Sequence, residues 1–226
     1  MDQIIIEHVS KDYRVGSETI VAVKDASLAL QKGAFVSIVG HSGSGKTTLL
    51  SLIGGMMSPS SGRLLFNGTD ITAWNSDQLS EYRCERIGFM FQSASLLPIL
   101  TAKENLLLPV AFRTTATSGD GHERKAVELL REVGLSDKVN AYPAQLSGGQ
   151  QRRVAIARSF MNNPELILAD EPTGDLDEET EHEMMQFFLR MNREHGTTFV
   201  MVTHNSDLAR QTQQHYRMDR GVISSV

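Results

Sequence analysis

Gly40-His41-Ser42-Gly43-Ser44-Gly45-Lys46-Thr47 reads G-x-x-x-x-G-K-[ST]. It follows residues 34–39 (AFVSIV), a nearly continuous apolar run suited to a strand buried on both faces. It leads into TTLLSLIGG, where Leu49, Leu50 and Ile53 recur at helical spacing. At average glycine usage the pattern arises by chance in on the order of 1% of chains this long, and the strand-then-helix context sharpens it. Glycines let backbone N–H groups approach phosphates, and a helix N-terminus adds positive potential. Lys46 is expected to reach the β- and γ-phosphates, and the Thr47 hydroxyl, with Thr48 beside it, to lie at a Mg²⁺ ion. The stretch therefore implies a nucleoside triphosphate site on an α/β domain.

Working outward, the first third reads as strands. Residues 4–9 (IIIEHV) are rich in β-branched side chains, and Ala26, Leu28 and Leu30 alternate with polar or small residues. Asn67-Gly68 between LLF and TDI is a hairpin turn, and residues 87–91 are a short apolar strand. The middle is helical. Thr101 and Glu104 fit a capping box, and Ala126, Leu129, Leu130 and Val133 mark one helix face, with Gly134 as its C-cap. Residues 113–121 (RTTATSGDG) between them read as a mobile surface loop. In the last third, residues 166–169 and 198–202 are buried strands joined by a long helix over 178–195, a βαβ unit. The reading is one α/β domain with a helical insertion, the core over about 1–92 and 163–226 and the insertion over about 93–162.

Two further motifs carry chemistry. The strand at 166–169 runs into Asp170 and Glu171, delivering two carboxylates to the phosphate edge of the sheet. Asp170 is expected to hold Mg²⁺ and Glu171 to polarise an attacking water as general base. Leu146-Ser147-Gly148-Gly149-Gln150, before QRRVAIARSF, places a serine and two glycines at a helix N-terminus, with Val154, Ala157 and Met161 on one face. That is a second anion site, and a chain already cradling phosphate at 40–47 has little use for it in the same place.

Composition limits the remaining classes. The 226 residues are 40% hydrophobic and 22% charged, which excludes a disordered or fibrous chain. A net charge of −5 speaks against a constitutive nucleic-acid binder. The single cysteine, Cys84, offers neither a disulfide nor a metal cluster, so a reducing compartment is expected. MDQIIIEHVS does not fit a signal peptide, and no apolar run approaches the ~18 residues that span a bilayer. A soluble protein is expected, tied to any membrane through a partner.

With these motifs in this order, the sequence resembles the ATP-binding cassette (ABC) ATPases over almost its whole length. The resemblance implies a phosphate-loop NTPase core, a mixed sheet with an N-terminal antiparallel β subdomain, and an inserted helical subdomain. It implies that two cassettes pair head to tail, with each ATP between one chain's phosphate loop and the other's Ser147, Gly148 and Gly149. It matches Tyr13 to the aromatic stacking on adenine and Gln92 to the glutamine touching Mg²⁺ and the attacking water. Asp177, in Gly174-Asp175-Leu176-Asp177, matches the aspartate communicating across the dimer, and His204 the histidine on the γ-phosphate. Gly174-Asp175 replaces the commoner Ser-Ala, and Asn205 stands where an acid is usual.

The apolar segment 93–112 (SASLLPILTAKENLLLPVAF) matches the groove that receives a coupling helix from a membrane permease. IGFMFQSASLLPILTAKENLLLPV and LADEPTGDLD look like the lipoprotein-release and macrolide-export group. The expectation is an ATPase subunit at the cytoplasmic face of the cell's inner membrane. It would drive an exporter or mechanotransmission permease acting on lipoprotein, lipid, peptide or drug. The alternative is a soluble cassette ATPase serving iron–sulfur assembly, DNA or ribosomes. The DNA and ribosome classes typically carry long insertions or two cassettes, and this chain has neither; an iron–sulfur assembly cassette as a single soluble chain stays open, although LSGGQQRR fits transporters better.

Overall fold

Three short strands are apolar along both faces because both faces are covered. They are β3 (Phe35–Val39), β7 (Leu166–Asp170) and β8 (Thr198–Thr203). Phe35, Ile167, Ala169, Phe199 and Met201 enter one hydrophobic cluster, while Val36, Ile38, Leu166, Leu168, Val200 and Val202 enter another. Each large side chain so buried contributes about 1.5–3 kcal/mol, which places this part of the sheet at the centre of the molecule. The computed structural model describes residues 1–113, 119–174 and 176–226, without the side chains of residues 119 and 120.

Among the described residues the elements run in the following order. β1 (Asp2–Val15) and β2 (Glu18–Gln31) form a long antiparallel hairpin. After β3 and α1 (Lys46–Ile53) come β4 (Ser61–Phe66), β5 (Thr69–Asp70), α2 (Ser76–Glu85) and β6 (Ile87–Met90). The helices α3 (Ala102–Ala111), α4 (Gly119–Glu132) and α5 (Gly148–Ser159) precede β7. Then α6 (Glu178–His195), β8, α7 (Ser206–Ala209), β9 (Gln214–Asp219) and β10 (Val222–Ser225) close the chain. One sheet has the order β2-β1-β4-β5 and is antiparallel. The other has the order β10-β9-β3-β8-β7-β6, parallel from β9 to β6, with β10 antiparallel at its edge.

The antiparallel sheet and α1 cover one face of the parallel sheet, sharing Ile4, Ile6, Leu30, Leu49, Leu50 and Leu64 with it. Helices α3 to α6 cover the other with Leu106, Leu130, Ile156, Phe160, Phe187 and Phe188. Polar groups fasten the two sheets. Glu165 accepts from Asn67 Nδ2 at 3.1 Å and from Arg86, and the Thr198 hydroxyl donates to Gln3.

Most expected elements form. Asn67 (φ 49°) and Gly68 (φ 79°) make the two-residue turn between β4 and β5, the left-handed pair that suits the strand twist. The Thr101–Glu104 capping box closes in both directions, and Gly134 at φ 72° ends the segment after α4. Two expectations change, and one further helix forms that no reading above named. β1 continues to Val15 because its polar outer half pairs with β2 as an exposed arm. The 113–121 loop reading fails at 119–121, which open α4, while residues 114–118 lie outside the described residues. Helix α2 carries no apolar stripe, burying only Tyr82, and is held by the Asn75–Gln78 capping box.

Candidate nucleotide site

The loop leaving β3 is shaped by what presses on it. A Cβ at Gly40 would stand 2.2 Å from the Met218 carbonyl oxygen of β9, and one at Gly45 would stand 2.1 Å from the Ala22 carbonyl oxygen of β2. Gly45 also has φ +106°, and as the residue capping α1 it offers no side chain to the helix N-terminus. The first N–H groups of α1 therefore have no side-chain acceptor, the arrangement that suits an anion. Lys46, buried, donates from Nζ to the Gly40 carbonyl at 2.6 Å and the His41 carbonyl at 3.0 Å. Ser44 Oγ is buried without a hydrogen-bond partner. Glycines, an uncapped helix and an unsatisfied hydroxyl together make a cradle for phosphate oxygens.

The carboxylates arrive where β7 ends beside it. Burial pushes the Asp170 carboxyl above the usual range, and Glu171 next to it pushes the same way. The Thr47 hydrogen bond and the charges of Lys46 and Arg152 oppose them. Glu171 has φ 47°, a left-handed conformation that costs a side-chain-bearing residue about 1–3 kcal/mol and clusters at functional sites. Its Oε2 accepts from the Thr203 hydroxyl at 3.2 Å, and its Oε1 lies 3.0 Å from His204 Nδ1. His41, Ser42, Gly43, Ser44, Gly45, Lys46, Thr47, Thr48, Gln92, Asp170, Glu171 and His204 line one open cleft of about 710 Å³. Residues expected from four separate stretches of sequence thus meet in one place.

Other expected residues lie elsewhere. Tyr13 sits on the exposed arm of β1, outside the cleft lining, with its hydroxyl 3.3 Å from Met57 Sδ and Lys11 Nζ 5.5 Å from its ring centre. Ser147 caps α5. Its hydroxyl accepts from Gln150 N at 3.2 Å while Gln150 Oε1 accepts from Ser147 N at 2.9 Å. Leu146 is buried, whereas Ser147 and Gly148 are exposed, and none of residues 146–150 lines the cleft. The cleft and the Ser147 helix start are therefore two separate surfaces of one chain. Asp177 caps α6, and hydrogen bonds from the Thr180 backbone and hydroxyl, both at 2.9 Å, hold its carboxyl below the usual range. Asp175 of the same motif lies outside the described residues.

Sequence reasoning missed Arg152. Only 3% exposed, it donates to main-chain carbonyls at both carboxylate-bearing and glutamine-bearing strand ends. Its helical phase was the available signal, since Arg152 precedes buried Ala155 and Ile156 by three and four residues.

A parallel sheet ending in a glycine-rich phosphate cradle, with an acidic pair and a separately presented Ser-Gly-Gly helix, defines a phosphate-loop ATPase of the cassette class. The chain matches the ABC transporter family over residues 23–174 and belongs to that family, as one of its ATP-binding subunits. It is 42% identical over 217 residues to the lipoprotein-releasing system ATP-binding protein LolD of Idiomarina loihiensis, covering 96% of this chain and 94% of that one. It is 41% identical to the macrolide export ATP-binding/permease protein MacB of Syntrophobacter fumaroxidans, over 99% of this chain and 31% of that one. Among solved structures, the dimeric post-hydrolysis state of the cassette MJ0796 of Methanocaldococcus jannaschii, bound to ADP and Pi, superposes with a TM-score of 0.93. That match has 40% identity and covers 98% of both chains.

Proposed function

We propose that the chain binds Mg-ATP in the cleft between the phosphate loop and Glu171, closes head to tail on a second copy, and drives a membrane permease. The observation that carries this is the separation within one chain of the cleft and the Ser147 surface. A second copy supplies the missing half to each site.

Asp170 and the Thr47 hydroxyl, both in the cleft lining, are two hard oxygen donors suited to Mg²⁺. Gln92 would complete the set. Bound there, the ion neutralises charge on the phosphate oxygens and orients them. Lys46 would release its two loop carbonyls to engage the β- and γ-phosphates. Glu171, aimed by Thr203 and His204, would take the proton of the attacking water, and His204 would meet the γ-phosphate. Tyr13 would stack on adenine once the β1 arm meets the base. Ser147, Gly148 and Gly149 would contact the γ-phosphate held by the partner copy, flanked by Leu146 and Gln150. Asp177 would carry the signal across that interface. No DNA or RNA partner enters this reading.

The helical unit over 93–162 would face the permease. Phe91, Pro109 and Phe112 line an open groove of about 830 Å³ between α2, β6 and α3, and Phe112 is 74% exposed there. A coupling helix of a permease would bury these rings. Among the described residues no helix is long and apolar enough to cross a membrane, so attachment at the cytoplasmic face would run through that groove. Likeness to LolD and MacB favours an exporter or mechanotransmission type handling lipoprotein, lipid, peptide or drug.

Glu171→Gln tests the chemistry. It is expected to keep Mg-ATP binding, lose hydrolysis by about 10²–10⁴-fold, and accumulate as a dimer on size exclusion with Mg-ATP. Hydrolysis within about tenfold of the native rate would remove Glu171 from the base role. The same variant, tagged and recovered from solubilised membranes, is expected to bring down a permease.

A further inference from the structure

The side chain of Arg152 gathers four carbonyl oxygens. Nε donates to Pro172 at 2.8 Å, Nη1 to Phe91 at 2.6 Å and also to Gln92, and Nη2 to Glu171. These carbonyls belong to the ends of β6 and β7, neighbours in the sheet. A guanidinium fork suits this task because its donors are fixed in one plane, which an ammonium on a flexible stem cannot reproduce.

What it fixes is the main chain at the residues that carry Gln92 and Glu171. Glu171 is held at φ 47° from two sides, by Arg152 on its carbonyl and by its own N–H to Val202 O at 3.0 Å. Arg152 also belongs to the second turn of α5, the helix whose exposed N-terminus is capped by Ser147. A displacement of that helix therefore reaches the Glu171 and Gln92 backbone through one side chain, that of Arg152. Leu176 stands beside the same helix start, 3.5 Å from where a Gly149 Cβ would be.

We propose that Arg152 is a positioning residue for hydrolysis, and that through it the engagement of α5 by a partner's nucleotide sets the Gln92 and Glu171 main chain in its own chain's site. The proposal rests on the head-to-tail reading above. Each site then acts on the other through the guanidinium, so ATP dependence should be cooperative.

The test compares the full chain with Arg152→Lys and Arg152→Met, using Mg-ATP titration of dilute monomer, steady-state hydrolysis against ATP, and thermal melts. Arg152→Lys is expected to bind ATP as monomer within about twofold of the native chain, to lose kcat by about 10²-fold, and to show a Hill coefficient reduced to one. Native-like kcat and cooperativity in the folded Lys variant would overturn the proposal. So would a kcat loss that disappears well below that variant's melting temperature, because Arg152 would then serve stability only. If Arg152→Met does not fold, the Lys variant decides. A native chain that neither pairs with ATP nor responds to Glu171→Gln would instead bring down the functional reading itself.

Discussion

The glycine at position 45 shows how completely one residue can be dictated. Its φ of +106° and the Ala22 carbonyl, 2.1 Å from any Cβ, exclude every side chain unless the loop moves. Gly45→Ala is therefore expected to destabilise the fold by about 1–3 kcal/mol and to weaken ATP binding by about tenfold or more. Thermal melts and titration with a fluorescent ATP analogue check both. Glu171 is left-handed too without being glycine, at the end of β7 where it lines the cleft. At this scale legibility was uneven for a physical reason. The phosphate loop is written in consecutive residues, so its pattern survives in one dimension. The Arg152 contacts join residues 19 to 61 positions apart in the chain, through backbone carbonyls that have no sequence identity of their own.

Helix α5 combines two functions at its start, a cap and a presented surface. The Ser147–Gln150 box is internal to the chain and leaves the cleft untouched. Ser147→Arg is accordingly expected to leave nucleotide binding by the monomer within about twofold and to abolish ATP-driven pairing on size exclusion. Loss of monomer binding instead would mean that the second anion surface does not act across a dimer. Helix α3 supplies a pH-dependent cap. The Thr101 backbone N–H and hydroxyl hold the Glu104 carboxyl below the usual glutamate range. A depressed carboxyl contributes stability that is full above its ordinary value and is lost as pH falls through the lowered one. Melting the native chain beside Glu104→Gln, which keeps the box without titrating, should show the native chain alone losing this increment below the ordinary carboxylate range. Elements with buried faces were readable from their periodicity, and the long helix after Asp177 has the bounds expected of it. The outer half of β1 and helix α2 were not, because neither turns an apolar stripe to the core; α2 shows itself only through Asn75 and Gln78.

For the whole molecule, the cleft, the Ser147 surface and the Phe112 groove are three separate faces of one chain. Phe112→Asp is expected to leave the melting temperature unchanged, since the ring is 74% exposed, and to abolish permease recovery from solubilised membranes. Recovery at the native level would place the coupling contact elsewhere. The parallel sheet divides the interior into two apolar clusters, one shared with the antiparallel sheet and α1, the other with α3 to α6. The strands β3, β7 and β8 contribute side chains to both. Amide hydrogen exchange should therefore separate the molecule into distinct cooperative units. The N–H groups of β3, β7 and β8 should exchange last, only through global opening. Those of α3 and α4 should open on their own, at lower free energy, while the phosphate loop and α1 stay protected.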